Sequence, residues 1–287
     1  MSLAFDIGGV RVHRFEVGPS KSVDAAAYFA GCPAAIVEAA LARYAPGASG
    51  RSVSIGYGTI LIEAAGRTIL IDAAASIGGP ASALRDALAA IGRAPEDIDV
   101  VVCTHAHEDR VAALAEPDGD RRVPVFPGAR HLMHPAELDF LRDQWRSAPA
   151  GRWGQVYEGF VRPVEQAGIL ETAADGHVLA ADGDATVRLE DAPGHAPGHL
   201  VVHIADGDEA ALFASDIFHH PLQILDPRIC TLGDADTNLA LVTRKATVAR
   251  CRDEGTIVIG AHFSGTGAGR IVGPAGAVAF EALDDGE

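Results

Sequence analysis

Ile98-Asp99-Val100-Val101-Val102-Cys103-Thr104-His105-Ala106-His107-Glu108-Asp109-Arg110 is the stretch on which the fold turns. Its first six residues form a short, β-branched, apolar run, which reads as a strand buried on both faces. The residues that follow crowd two imidazoles, two carboxylates and a guanidinium into a few positions. Rigid scaffolds present their chemistry at strand ends, so this junction is a candidate site. Histidines at i and i+2 on a strand-to-loop transition can point to one side. Imidazole is a common ligand of borderline metals such as zinc. Asp109 is a harder ligand, suited to a second ion or to orienting a water. The plainer alternative is a set of polar residues at a helix start, with Asp109 as a cap.

Working outward, four more segments place a histidine or an aspartate just after an expected strand. Ala192-Pro193-Gly194-His195-Ala196-Pro197-Gly198-His199 doubles a Pro-Gly turn, which is rigid enough to aim His195, with His199 supporting the turn. His203 falls in a strand and reads as structural. Leu212-Phe213-Ala214-Ser215-Asp216-Ile217-Phe218-His219-His220 sets Asp216 where a carboxylate can bridge two cations, and His219 and His220 could line the pocket or bind a metal. Val258-Ile259-Gly260-Ala261-His262 ends the last strand on His262. Leu70-Ile71-Asp72 is weaker, and Asp72 reads as a hydrogen-bond partner near a ligand histidine.

Between these points the chain reads as strands, then helices, then strands again. Strands are expected at 9–17, 52–64, 67–73, 98–103, 123–126, 186–189, 200–204, 210–214 and 256–260. Those at 52–64 and 67–73 should form a hairpin through Ala65-Gly66. Helices are expected at 21–46, closed by Pro46-Gly47, at 80–92 between Pro80 and Gly92, from 111 to 115, at 135–145 and at 244–254. The class is α/β, with sheets sandwiched between helices. One domain over 1–287 is expected, with 18–48 as a helical N-terminal addition and Asp284-Asp285-Gly286-Glu287 as a frayed tail.

Composition narrows the function. Hydrophobic residues make up 48 % and charged residues 22 % of 287, enough for a packed core. Thirty-nine acidic residues against 23 basic ones give a formal charge of -16 with no basic stripe, which argues against nucleic acid and anionic membrane as partners. The four cysteines, Cys32, Cys103, Cys230 and Cys251, form no C-x-x-C pair and read as free buried thiols. With no signal-peptide pattern and no apolar run of spanning length, a cytoplasmic protein is expected. Its partner should be a small-molecule substrate, and a homodimer is allowed.

Taken together, residues 104–110 (THAHEDR), 192–199 (APGHAPGH), 214–216 (ASD) and 260–262 (GAH) resemble the metallo-β-lactamase superfamily over roughly residues 50–270. ASDIFHHPLQ and AHFSGTGAG look most like its lactonase, arylesterase and methyl-parathion-hydrolase members. The resemblance implies an αββα sandwich of two mixed β-sheets flanked by helices. It assigns His105, His107 and His195 to a first metal, Asp109 and His262 to a second, and Asp216 to the bridge between them. One or two divalent ions follow, zinc first, with manganese, iron or cobalt as alternatives.

The family motif is H-x-H-x-D-H, and its last position here is Arg110, which has no lone pair to give. Two readings stand. Either Asp109, Asp216 and His262 hold a weaker second ion, which is the reading preferred on sequence, or the guanidinium takes that ion's electrostatic place. Arg110 is also a candidate contact for an anionic substrate group, or a partner for Glu108. The implied activity is hydrolysis of an ester or lactone, or of a phosphotriester, by a metal-activated water that Asp109 orients. A catalytically silent small-ligand binder is the alternative. A di-iron redox member and a true β-lactamase fit less well, the latter for want of a signal peptide.

Overall fold

Ile60-Leu61-Ile62 and Ile69-Leu70-Ile71 are apolar at every position because both faces of their strands are covered. Ile60, Ile62, Ile69 and Ile71 face one core, while Leu61 and Leu70 face another. That period of two is the geometry of a sheet with something packed on each side.

The computed structural model describes residues 2–44, 50–75 and 82–284. β1 (Ser2–Ile7) pairs antiparallel with β2 (Val10–Glu16). A small two-stranded sheet follows, β3 (Lys21–Asp24) with β4 (Ser52–Ile55); α1 (Ala25–Tyr28) and α2 (Ala34–Tyr44) lie between them in sequence. β5 (Gly58–Ala64) and β6 (Arg67–Ile71) form the expected hairpin. After α3 (Ser82–Ala90), β7 (Val100–Cys103) lies parallel to β6. α4 (Glu108–Val111) is a single turn, and β8 (Ala115–Asp118) pairs with β9 (Arg121–Pro124).

β10 (Arg130–Met133) precedes α5 (Pro135–Ser147), α6 (Arg152–Val156) and α7 (Arg162–Gln166). β11 (Leu170–Thr172) completes a seven-stranded sheet ordered β1-β2-β5-β6-β7-β10-β11. β12 (Val178–Asp182), β13 (Ala185–Asp191), β14 (Leu200–Asp206) and β15 (Glu209–Ser215) then meander antiparallel. α8 (Leu222–Leu225) and α9 (Thr237–Glu254) lead to β16 (Ile257–Gly260), parallel to β15. β17 (Ala268–Val272) and β18 (Ala279–Ala282) end a second seven-stranded sheet, β12 to β18 in order.

The two sheets bury their inner faces on each other. Val12, Ile62, Ile71 and Val102 of the first lie in one cluster with Leu189, Val202, Phe213 and Ile259 of the second. α3 and α5 cover the outside of the first sheet through Leu84, Leu88, Leu138 and Leu141. α9 covers the second through Val248 and Cys251. The architecture is therefore αββα, as expected. α9 is well bounded: Asp236 accepts from Leu239 N at 2.9 Å, and Gly255 closes the helix at φ 67°, where a side chain would be strained.

Four expectations need correction. Residues 52–64 are not one strand, because β4 and β5 belong to different sheets. The chain breaks where Gly56 N and Gly58 N donate to His262 O and Ala261 O, so the backbone there serves the loop after β16. Gly58 is held close: a Cβ would stand 2.7 Å from Arg14 Nη2. Residues 111–115 do not start a helix; Ala113 N donates to Ala73 O, and a strand begins at Ala115. The helix expected at 21–46 opens as a strand. The strands β1, β10, β11, β12, β17 and β18 were not foreseen. The Pro46-Gly47 stop, the Pro80 start and tail residues 285–287 lie outside the described residues.

Candidate metal centre

β7 delivers His105 and His107, the β13–β14 loop delivers His195, and the end of β15 delivers Asp216. Ligand-type atoms of these four residues all lie within 4.8 Å of one another. Asp216 Oδ2 is the hub. It stands 3.6 Å from His105 Nε2, 3.5 Å from His195 Nε2, 3.5 Å from His219 Nε2 and 3.2 Å from His262 Nε2. His107 Nδ1 is 3.0 Å from His195 Nε2. Asp216, His219 and His262 form a second set of the same kind.

Two of the candidate ligand histidines, His195 and His105, are fixed from behind. Asp234 Oδ1 accepts from His195 Nδ1 at 2.9 Å, which leaves the Nε2 lone pair facing the cluster. Thr104 Oγ1 donates to Asp72 Oδ2 at 2.9 Å and lies 3.2 Å from His105 Nδ1 and 2.8 Å from Ser215 Oγ. Above about pH 7, where Asp72 is a carboxylate, it accepts the Thr104 hydroxyl hydrogen bond, so Thr104 Oγ1 in turn accepts from His105 Nδ1. His105 Nε2 is then a lone pair, and it is buried without a hydrogen-bond partner among the described residues. A buried orphan acceptor is costly unless a cation fills it. On this observation the donor set fits a divalent ion, with His105, His107, His195 and Asp216 to hold it. Asp72 and Ser215 adopt left-handed backbone (φ 64° and 45°) where their strands end beside Thr104, strain of the kind that gathers at functional sites.

The electrostatics agree. Burial, then the neighbouring His195, drives His107 down to about 3. His105 is also pushed well below its ordinary value, by burial first. Both rings are neutral at physiological pH, the form that binds metal. Burial alone would raise the Asp216 carboxyl, but Arg110, then His262 and His105, hold it well below the usual carboxylate range. Burial lifts Asp72 to about 7 against the opposing pull of Arg110 and Thr104.

The other residues singled out by sequence sort as follows. Asp109 and His262 come beside the cluster, their Oδ2 and Nε2 3.5 Å apart. The Arg110 side chain is wholly buried, and its partners are Asp109, Asp216, His262 and the Gly58 carbonyl, not Glu108. His199 supports the turn, donating from Nδ1 to Ala192 O at 2.9 Å and accepting from Asp216 N at 3.3 Å. His203 lies on β14 away from the cluster. His219 faces the cluster, while His220 accepts from Leu222 N and packs edge-on to Tyr44.

Asp234 and Glu137 escaped the sequence reading. Glu137, buried on α5, accepts from Ala106 N and Gly198 N at 2.9 Å each and so ties the two histidine loops together. Trp153 also escaped it; its ring stacks on His107 with centroids 5.3 Å apart.

The cluster floors a cleft of about 400 Å³. Lys21 of β3 and Tyr28 of α1 line it, as do Tyr57, Arg152, Trp153 and Leu232. Lys21 and Arg152 lie over the rings of Tyr57 and Trp153, at 5.4 and 4.7 Å. No described helix is long and apolar enough to cross a membrane.

Two stacked mixed sheets with a His/Asp cluster at their strand ends define the class. The chain belongs to the metallo-beta-lactamase superfamily, whose profile matches residues 59–268. It is 29% identical over 115 residues to the N-acyl homoserine lactonase AttM of Agrobacterium fabrum, 40% of this chain and 38% of that protein. It is 29% identical over 168 residues to the metallo-hydrolase mfmC of Annulohypoxylon moriforme, 56% of this chain and 42% of that one. The chain thus spans about two fifths of the relatives it matches. Among solved structures, AidC, a dizinc quorum-quenching lactonase, superposes with a TM-score of 0.80 at 18% identity, covering 99% of this chain and 97% of that chain. The hydrolase AbOPH superposes at 0.82 with 22% identity and the same coverage. At these identities the likeness is one of fold.

Proposed function

We propose that this protein is a metal-dependent hydrolase of small lactones or carboxylic esters, with phosphotriesters as the next substrate class. The observation that carries the proposal is the convergence of His105, His107, His195 and Asp216 within 4.8 Å at the floor of the cleft, with His105 Nε2 buried and unpartnered. A divalent ion there, zinc first, supplies Lewis acidity that brings the pKa of water toward neutrality and polarises a substrate oxygen. The chain's own groups do the rest. Asp109 lines the cleft with Oδ2 engaged by Arg110, leaving its other oxygen to orient a water and take its proton. Asp234 and Thr104 hold the imidazoles in the required tautomer. Trp153, Tyr57 and Leu232 offer apolar surface to the body of a substrate, and Lys21 and Arg152 place positive charge at the mouth, where a carboxylate product forms.

The lactonase names among the relatives support this substrate class, as does the mixed apolar and cationic lining. Chelation with EDTA should abolish hydrolysis of a lactone and aryl-ester panel, and Zn²⁺, Mn²⁺ or Co²⁺ should restore it. Full activity in metal-stripped protein sinks the proposal. Arg110 motivates a second reading, a silent ligand-binding member, which well under one metal per purified chain would favour.

A further inference from the structure

The resemblance assigns Asp109, His262 and Asp216 to a second ion. Arg110 engages all three. Its Nη2 donates to Asp109 Oδ2 at 2.9 Å and to His262 Nε2 at 2.8 Å, and its Nε faces Asp216 Oδ1 at 3.4 Å. Nη1 is anchored on Gly58 O at 3.1 Å. His262 Nδ1 lies 2.8 Å from Gly56 O and donates to it, so Nε2 carries the ring's one lone pair. That lone pair is the one a second ion would need, and it already accepts from the guanidinium.

We infer that Arg110 is a built-in replacement for the second metal and that the protein works with a single divalent ion, held by His105, His107, His195 and Asp216. The inference rests on the metal-dependent reading above. The competing arrangement is a second ion on Asp216, His219 and His262, whose ligand atoms are also close enough. It would have to break the 2.8 Å bond from Arg110 to His262 and sit beside a permanent positive charge. A guanidinium is always charged, so that repulsion cannot be relieved by losing a proton.

Metal counting decides it. The stripped full-length chain is loaded with Zn²⁺ and desalted; metal per chain is measured by elemental analysis and by isothermal titration. The expected result is a single equivalent in the wild type and again in His262→Ala, where the lost side chain held Arg110 rather than an ion. Arg110→His, which restores a ligand, should bind a second equivalent. Two equivalents in the wild type, falling to one in His262→Ala or His219→Ala, overturn the inference. A folded Arg110→His that stays at a single equivalent overturns it too. If that variant fails to fold, the wild type and His262→Ala still decide. No tight metal in the wild type would defeat the hydrolase reading as well, which separates the two failures.

Discussion

Asp234→Asn tests how the proposed metal centre is built, because it changes one charge behind one candidate ligand, His195. Asp234 Oδ1 accepts from His195 Nδ1 at 2.9 Å, and its Oδ2 lies 3.3 Å from Arg244 Nη2. Burial opposes its charge, yet His195, His219 and Arg244 bring its pKa from 3.8 to about 2. A shift of that size is worth about 2 kcal/mol between the charged and neutral forms. Asparagine keeps the shape, loses that charge, and can offer its N–H₂ to Nδ1, which would favour the wrong tautomer. The first-site affinity should fall about 10–100-fold, the range for loss of a carboxylate behind a metal-binding histidine.

The assay is Zn²⁺ competition against a chromophoric chelator, with melting followed by circular dichroism. Arg244 complicates the variant because its buried guanidinium loses a partner, which costs up to about 3–5 kcal/mol of stability. Arg244→Met is the control: it removes the ion pair but leaves the His195 hydrogen bond, so metal affinity should hardly move. The reasoning is refuted if Asp234→Asn folds and binds as tightly as wild type, or if Arg244→Met loses as much affinity as Asp234→Asn.

Glu137→Gln should lower the midpoint of thermal unfolding, because one of two buried backbone donors, Ala106 N or Gly198 N, meets an amide N–H₂ instead of an oxygen; about 1–3 kcal/mol is at stake. An unchanged melt would show that the clamp contributes nothing. Acid should weaken the metal-free fold through His131, which burial pushes from 6.5 to about 4. Between those values the unfolded chain binds the extra proton. Its share of stability, about 3 kcal/mol at most, is therefore present above pH 6.5 and is lost as pH falls to about 4. Urea midpoints measured in EDTA should drop less steeply over that range in His131→Asn; equal slopes would remove His131 from the account.

The strands buried on both faces were legible because their apolar runs are short and end in turn residues; Val100-Val101-Val102 is such a run. The site was legible for the same reason. His105, His195, Asp216 and His262 each follow a strand, and periodicity marks where strands stop. Asp234 and Glu137 left no such signal. Glu137 looks like any first-turn acid of a helix, and its two partners lie 31 and 61 residues away in sequence. Asp234 sits in an irregular loop and meets His195 only because the β13–β14 turn folds against it. The break at Gly56 was hidden for a related reason. Residues 52–64 are β-rich on both sides of Gly56-Tyr57-Gly58, and what those two glycines serve shows only in their hydrogen bonds to His262 and Ala261. The edge strand β18 is mostly exposed, so its pattern is weak, whereas β1 carries a plain alternation with Leu3, Phe5 and Ile7 inward that the sequence reading passed over.

The candidate ligands come from both sides of the sandwich. His105 and His107 extend from the first sheet, while His195 and Asp216 extend from the second. A bound ion would therefore rivet the two sheets together at one edge. Anything that binds the folded chain alone stabilises it in proportion to the logarithm of its free concentration. The protein's resistance to proteases and its shelf life should therefore follow its history of exposure to chelators, even in samples with identical sequence and starting fold.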